Sequence, residues 1–92
     1  MLVYQSIVEF IGTFIFLGVI LSTGQALPIG LALATSIYFG ANISGGHFNP
    51  AVSLMMYINK AINLQQLVLY IIMQCLGGMS VLFFRNLASK SK

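Results

Sequence analysis

Three blocks of apolar residues in this chain are long enough to cross a bilayer as helices. Residues 3–21 give 19 positions, about 28 Å of helix against a hydrocarbon core of about 30 Å. Residues 22–27 form a polar, glycine-containing turn, and Pro28 suits the first turn of a second helix running to about residue 43. Residues 64–84 give 21 positions, about 31 Å. The preceding Asn63-Leu64-Gln65-Gln66 has the form of a capping box. Arg85 marks the exit of this helix at the membrane interface, with a polar tail over residues 85–92. The pattern predicts an all-α membrane protein with a single membrane domain.

Composition narrows the options. Hydrophobic residues make up 59 % of the 92 and charged residues 5 %, against roughly 25 % charge in a soluble domain. A soluble chain this short could not cover so much apolar surface. The charged residues are Glu9, Lys60, Arg85, Lys90 and Lys92, and residues 10–59 contain none. The net charge of +3 therefore sits in one loop and the C-terminal tail. That excludes a nucleic-acid binder, whose basic residues share a folded face. A cleavable leader fits poorly, because residues 1–6 carry no Lys or Arg and Glu9 interrupts the apolar run. One His, one acid and one cysteine, Cys75, fall short of a catalytic constellation, a disulfide or a metal site. No enzyme activity and no cofactor are implied.

The stretch between the second and third spans carries the most information. Ser44-Gly45-Gly46-His47-Phe48-Asn49-Pro50 is a glycine-rich break, followed by an apolar segment and polar Asn59-Lys60. A helix over residues 50–59 is about 15 Å long and reaches only the midplane. Irregular backbone at that depth is tolerated only where protein or a water-filled cavity satisfies it. The residues fit a re-entrant loop over 44–49 and a half-helix over about 50–59; a short amphipathic helix on the membrane surface fits the length equally. Asn49 is a good N-cap and Pro50 a good first helical residue, and the helix start would carry roughly +0.5 charge. Glu9, the only acid, lies inside the first span, where a carboxylate needs a partner or a proton. Loop N–H groups are reasonable partners, since no Lys or Arg is near in sequence. Gly12/Gly18, Ala32-Ser36-Gly40 and Gly77-Gly78 read as helix-packing surfaces. Met55, Met56 and Met73 read as packing or lipid-facing residues.

Continued through Ala51-Val52, this loop resembles the first Asn-Pro-Ala loop of the aquaporin, or major intrinsic protein, family. Glu9-Phe10-Ile11-Gly12-Thr13 resembles that family's first-helix Glu motif. Tyr70-Ile71-Ile72-Met73-Gln74-Cys75-Leu76-Gly77-Gly78 resembles its third helix. The three motifs occur in order at matching spacing and cover nearly the whole chain, yet only the first of the family's two inverted repeats. The resemblance implies three transmembrane helices plus a re-entrant loop and half-helix. It also implies roles for single residues. The Asn49 side-chain NH₂ donates to a water at the single-file centre, with Pro50 and Ala51 beside it at the pore. Together with the helix dipole, Asn49 orients water and repels cations. The carbonyls of Gly45, Gly46 and His47 line the pore as acceptors, Glu9 holds the loop, and Gln74 is its polar third-helix partner. Ile29, twenty residues before Asn49, stands at a selectivity position that is often aromatic, which implies a wider or more apolar constriction. The family's second loop carries an Arg immediately after Asn-Pro-Ala; Val52 stands at that offset here, so no selectivity arginine is supplied.

The function implied is passive transport of water or a small neutral solute such as glycerol across a lipid bilayer. On the residues alone, two other readings stay open: a truncated, non-conducting membrane protein with a structural or partner-binding role, and a small proton-coupled carrier using Glu9. One copy supplies a single half-helix and cannot enclose a pore. A homo-oligomer or a complex with a second-half chain is therefore expected, with an antiparallel dimer the leading arrangement, since it joins two Asn49-Pro50 ends. Charge counting puts Arg85, Lys90 and Lys92 in the cytoplasm, whereas the resemblance puts the Lys60 loop there. A mixed orientation is what an antiparallel dimer requires.

Overall fold

The structure, a computed structural model, describes residues 1–91, with side chains through residue 89. Four helices follow one another: α1 (Leu2–Thr23), α2 (Ala26–Gly40), α3 (Pro50–Ile58) and α4 (Leu64–Ser91). Gly24 ends α1 in a left-handed conformation, φ 67°, and its N–H bonds the Ile20 carbonyl at 3.1 Å, the glycine cap that leaves no Cβ penalty. α2 starts two residues before Pro28, which still falls in the first turn, where backbone N–H groups have no intrahelical partner. It ends at Gly40 rather than near residue 43. The chain nevertheless stays coiled, because Ser44 N–H bonds the Gly40 carbonyl at 2.9 Å and Gly45 N–H that of Ala41 at 3.1 Å.

Side-chain caps start the last two helices. Asn49 Oδ1 accepts the N–H of Ala51 at 2.8 Å, with Pro50 as the first helical residue. Ahead of α4, Gln66 Oε1 accepts the N–H of Asn63 at 2.9 Å and Asn63 Oδ1 that of Gln66 at 2.8 Å, a closed capping box. α4 runs on to Ser91, so the stretch expected as a polar tail is helical as far as the described residues reach. Arg85 marks a change of polarity and not a break, since residues 85–91 contain neither Gly nor Pro.

α1 and α4 run in the same direction in close contact. A Cβ on Gly77 would stand 2.8 Å from the Phe10 carbonyl oxygen, and one on Gly78 2.9 Å from Leu17. α2 returns antiparallel to α1. α3 runs back along α4, from Ser53 beside Gln74 to Tyr57 in one groove with Gln66.

The interior is more polar than the surface. Among the described residues, Ser6, Glu9, Thr13, Ser36, Ser44, His47, Ser53 and Gln74 are buried, against only Phe48, Leu67, Tyr70 and Val81 of the large apolar ones. Tyr38, Phe39 and Ile58, by contrast, are at least 70 % exposed. A water-soluble fold has the opposite arrangement. Among the described residues, two helices are long and apolar enough to cross a membrane, α1 and Leu64–Ser89 of α4, and only 22 % and 28 % of their apolar windows are buried. α2 is a shorter apolar helix of 15 residues, about 22 Å.

Candidate functional site

The site is assembled where the loop between α2 and α3 crosses α1 and α4. Glu9, on α1, is completely buried, and both carboxylate oxygens are in use. Oε2 accepts the Ser44 hydroxyl at 2.6 Å and the His47 N–H at 3.0 Å. Oε1 accepts the Phe48 N–H at 2.8 Å and the Gln74 side-chain N–H at 2.8 Å. Charge-assisted bonds of this kind are about twice as strong as neutral ones. Here they tie one loop to two helices.

A second layer fixes the loop from the α4 side. Gln74 Nε2 also donates to Ser53 Oγ at 2.9 Å, and that hydroxyl pairs with His47 Nδ1 at 2.9 Å. Ser53 Oγ thus joins the Gln74 amide on α4 to the His47 ring in the loop. Tyr70 donates its hydroxyl to the Ser44 carbonyl at 2.7 Å, and its ring meets the His47 ring edge-on at 5.1 Å between centroids.

Loop conformation follows from these anchors. Gly45 and Gly46 take φ 92° and 64°, and Phe48 takes φ 55°. A left-handed phenylalanine costs about 1–3 kcal/mol and persists only where its surroundings over-determine it. Its N–H is held by Glu9, and its ring, 2 % exposed, lies where a Cβ on Gly12 or Gly40 would be. The loop climbs back as it goes. Ser44 is level with Glu9, Gly46 lies against Ile37 of α2, and Asn49 shares a groove with Thr13, Phe16 and Leu17. Between Ser44 and Asn49 the chain therefore returns along α1 by about one to two helical turns before α3 starts back.

Donors and acceptors of the loop are treated differently. The N–H groups of Gly45, Gly46, His47 and Phe48 all bond inward, to Ala41, Ser44 and Glu9. The carbonyls of Gly45, Gly46 and His47 receive no hydrogen bond among the described residues. Asn49 spends Oδ1 on the Ala51 cap, and its NH₂ donates to no described residue; Asn49, Pro50 and Ala51 are exposed. Glu9, Gln74, His47, Gly45 and Gly46 thus meet at one place, with Asn49, Pro50 and Ala51 at its open edge. Ile29 stands apart, half-buried in the first turn of α2 and outside the groove that holds Asn49. Ser44, Ser53 and Tyr70 also belong to the network. Tyr70 and Gln74 are four apart on an apolar helix, a polar stripe that marks them as facing protein. No three His, Cys, Asp or Glu side chains converge among the described residues.

Comparison with known proteins shows the family of this sequence. The family model described as major intrinsic protein matches residues 2–90. The chain is 46 % identical over 79 residues to "Glycerol uptake facilitator protein-like 6" of Lactiplantibacillus plantarum, covering 76 % of this chain and 37 % of the relative. It is 38 % identical over 89 residues to "Aquaporin PIP1-3/PIP1-4" of Zea mays, covering 78 % and 30 %. With "Aquaporin PIP1-3" of Arabidopsis thaliana the identity is 36 % over 89 residues, covering 78 % and 31 %. The chain thus spans about a third of the length of these curated relatives. No solved structure gives a significant match. An apolar helical chain whose one acid organises a Gly-Gly-His-Phe-Asn-Pro-Ala loop, and whose sequence fits the family model from residue 2 to residue 90, is an integral membrane protein of the major intrinsic protein family.

Proposed function

We propose that this chain forms half of a channel for water or small neutral solutes such as glycerol, and that it conducts only as an oligomer or with a second-half partner. In this reading α1, α2 with its coiled extension to Ser44, and α4 cross the membrane. The segment 44–49 is then a re-entrant loop and α3 a half-helix. The climb of the loop from Glu9 to the level of Thr13 and Phe16 supports the re-entrant placement, as does the start of α3 near Gln74, about 15 Å along α4.

The observation that carries the function is the division of loop groups. Every backbone N–H from Gly45 to Phe48 is used inward, while three successive carbonyls and the Asn49 amide are left for a guest. Backbone acceptors at membrane depth require protein or water to satisfy them. A guest meeting both acceptors and a donor is a small hydroxylic molecule. The positive end of α3 beside Asn49 opposes a cation. Relatives named as an aquaporin and a glycerol uptake facilitator point the same way. These residues carry one half-helix, and in this reading another chain or copy completes the pore wall. An antiparallel pair joined at Asn49-Pro50 meets that need. Val52 leaves such a pore without a selectivity arginine. The four bonds on Glu9 commit both its oxygens to the loop and to α4, which favours an anchoring role over a carrier role.

Reconstitution into vesicles tests this reading. Osmotic shrinkage and isotonic glycerol swelling should exceed those of protein-free vesicles, with crosslinked species above the monomer mass and no response to a proton gradient. Folded protein that gives only background flux assigns the chain a non-conducting role; flux driven by a pH gradient makes it a carrier.

A further inference from the structure

The groove between the second half of α1 and α4 carries a charge, Arg85, that no acidic side chain among the described residues answers. Its volume is about 770 Å³; Phe14, Gly18, Val81 and Phe84 form its apolar wall, and Ser22 and Arg85 lie at its polar end. Both polar residues sit where an apolar run stops, Ser22 one residue before the end of α1 and Arg85 directly after Phe84. The chain's single acid is Glu9, and both its oxygens are occupied in the loop cluster. No carboxylate side chain of this chain is left for Arg85.

A guanidinium at the edge of the hydrocarbon layer is best met by an anion at the same depth, and a phosphate fits its planar fork. The wall beneath needs an apolar occupant. Phe14 and Phe84 meet edge-to-face at 5.7 Å, and Gly18 keeps the space beside Val81 open, since a Cβ there would lie 3.8 Å from Val81 Cγ2. Ser22 donates its hydroxyl to the Gly18 carbonyl at 2.8 Å, which leaves its lone pairs for a headgroup hydroxyl. We propose that this groove binds an anionic phospholipid, with the phosphate on Arg85 and an acyl chain along Phe14, Gly18, Val81 and Phe84. A headgroup and a chain in one molecule account for both halves of the groove; free phosphate accounts for only one.

Native mass spectrometry of the full chain in nonionic detergent, given an equimolar mixture of dioleoylphosphatidylglycerol and dioleoylphosphatidylcholine, tests the proposal. Wild type should retain phosphatidylglycerol preferentially. Arg85→Gln should reduce that preference about fivefold, the size expected for one basic residue at an anionic surface. Lys60→Gln, a charge change in the loop before α4, should leave it intact. Gly18→Leu, which fills the groove while keeping Arg85, should lower occupancy by both lipids, with helical circular dichroism unchanged in every variant. An unchanged preference in Arg85→Gln overturns the site. So does displacement of the lipid by inorganic phosphate alone, or equal retention of the two lipids by wild type.

Discussion

The Glu9 carboxylate accepts the main-chain N–H of Phe48 at 2.8 Å, and the Phe48 ring rests on Gly12, less than one turn farther along the same helix. One short segment of α1 therefore supplies both the electrostatic anchor and the steric seat of the Asn49 loop. The carboxylate holds the backbone in its left-handed kink, and the ring is seated against Gly12 and Gly40.

Replacing Glu9 with Gln keeps the shape and removes half the acceptors. One amide oxygen can serve two of the four donors, while the NH₂ faces the other two. Each buried donor left unmet costs about 1–3 kcal/mol, so detergent stability should fall by about 2–6 kcal/mol. Hydrogen exchange at the His47 and Phe48 amides should accelerate. Stability and exchange equal to wild type contradict the anchoring role.

Gly12 and Gly30 should respond to alanine with opposite signs. In a helix interior alanine is favoured over glycine by up to about 1 kcal/mol, and nothing lies within 4 Å of a Cβ at Gly30. Gly30→Ala should raise the melting temperature. At Gly12 the new Cβ meets the Phe48 ring, so Gly12→Ala should lower it and loosen the loop. Thermal unfolding of the two variants in one detergent checks the pair.

Tyr70→Phe removes the donor to the Ser44 carbonyl, a 2.7 Å bond in a buried setting. A loss of about 1–3 kcal/mol is expected, with α4 itself unchanged by circular dichroism. A neutral effect places the Ser44 carbonyl in contact with water.

Labelling an Asn86→Cys, Cys75→Ala variant in intact cells with an impermeant maleimide reports orientation, since Cys75 is the chain's only thiol. An antiparallel pair exposes position 86 on both sides. Labelling from one side alone excludes that pair and makes a pore dependent on a parallel assembly or a second-half chain.

Much of the fold is legible from hydropathy, because lipid contact demands long apolar runs. The boundaries are less so. Hydropathy marks where a helix leaves the bilayer and is blind to whether it goes on, which is why α4 passes Arg85, and why the coil after Gly40 reads as helix to about residue 43. In the site, Glu9, His47, Asn49 and Gln74 stand out as polar residues in an apolar chain. Ser44 and Ser53 do not. A serine in a membrane helix can bond its own backbone, as Ser6 does to the Leu2 carbonyl at 2.8 Å, so only the approach of α4 shows that Ser53 bonds His47 and Gln74 instead. Ile29 has only its spacing from Asn49 to mark it, and it stands outside the groove that holds Asn49.

Asn49→Asp tests the channel reading most directly. Asp keeps the acceptor that caps Ala51 N–H, so α3 and the melting temperature should stay near wild type. The substitution removes the outward NH₂ and puts an acid at the start of the half-helix. Stopped-flow osmotic permeability, at equal protein density in the same vesicles, should fall about fivefold or more, the worth of one lost hydrogen bond to the permeant. Permeability above background in wild type and unchanged in Asn49→Asp would contradict the account.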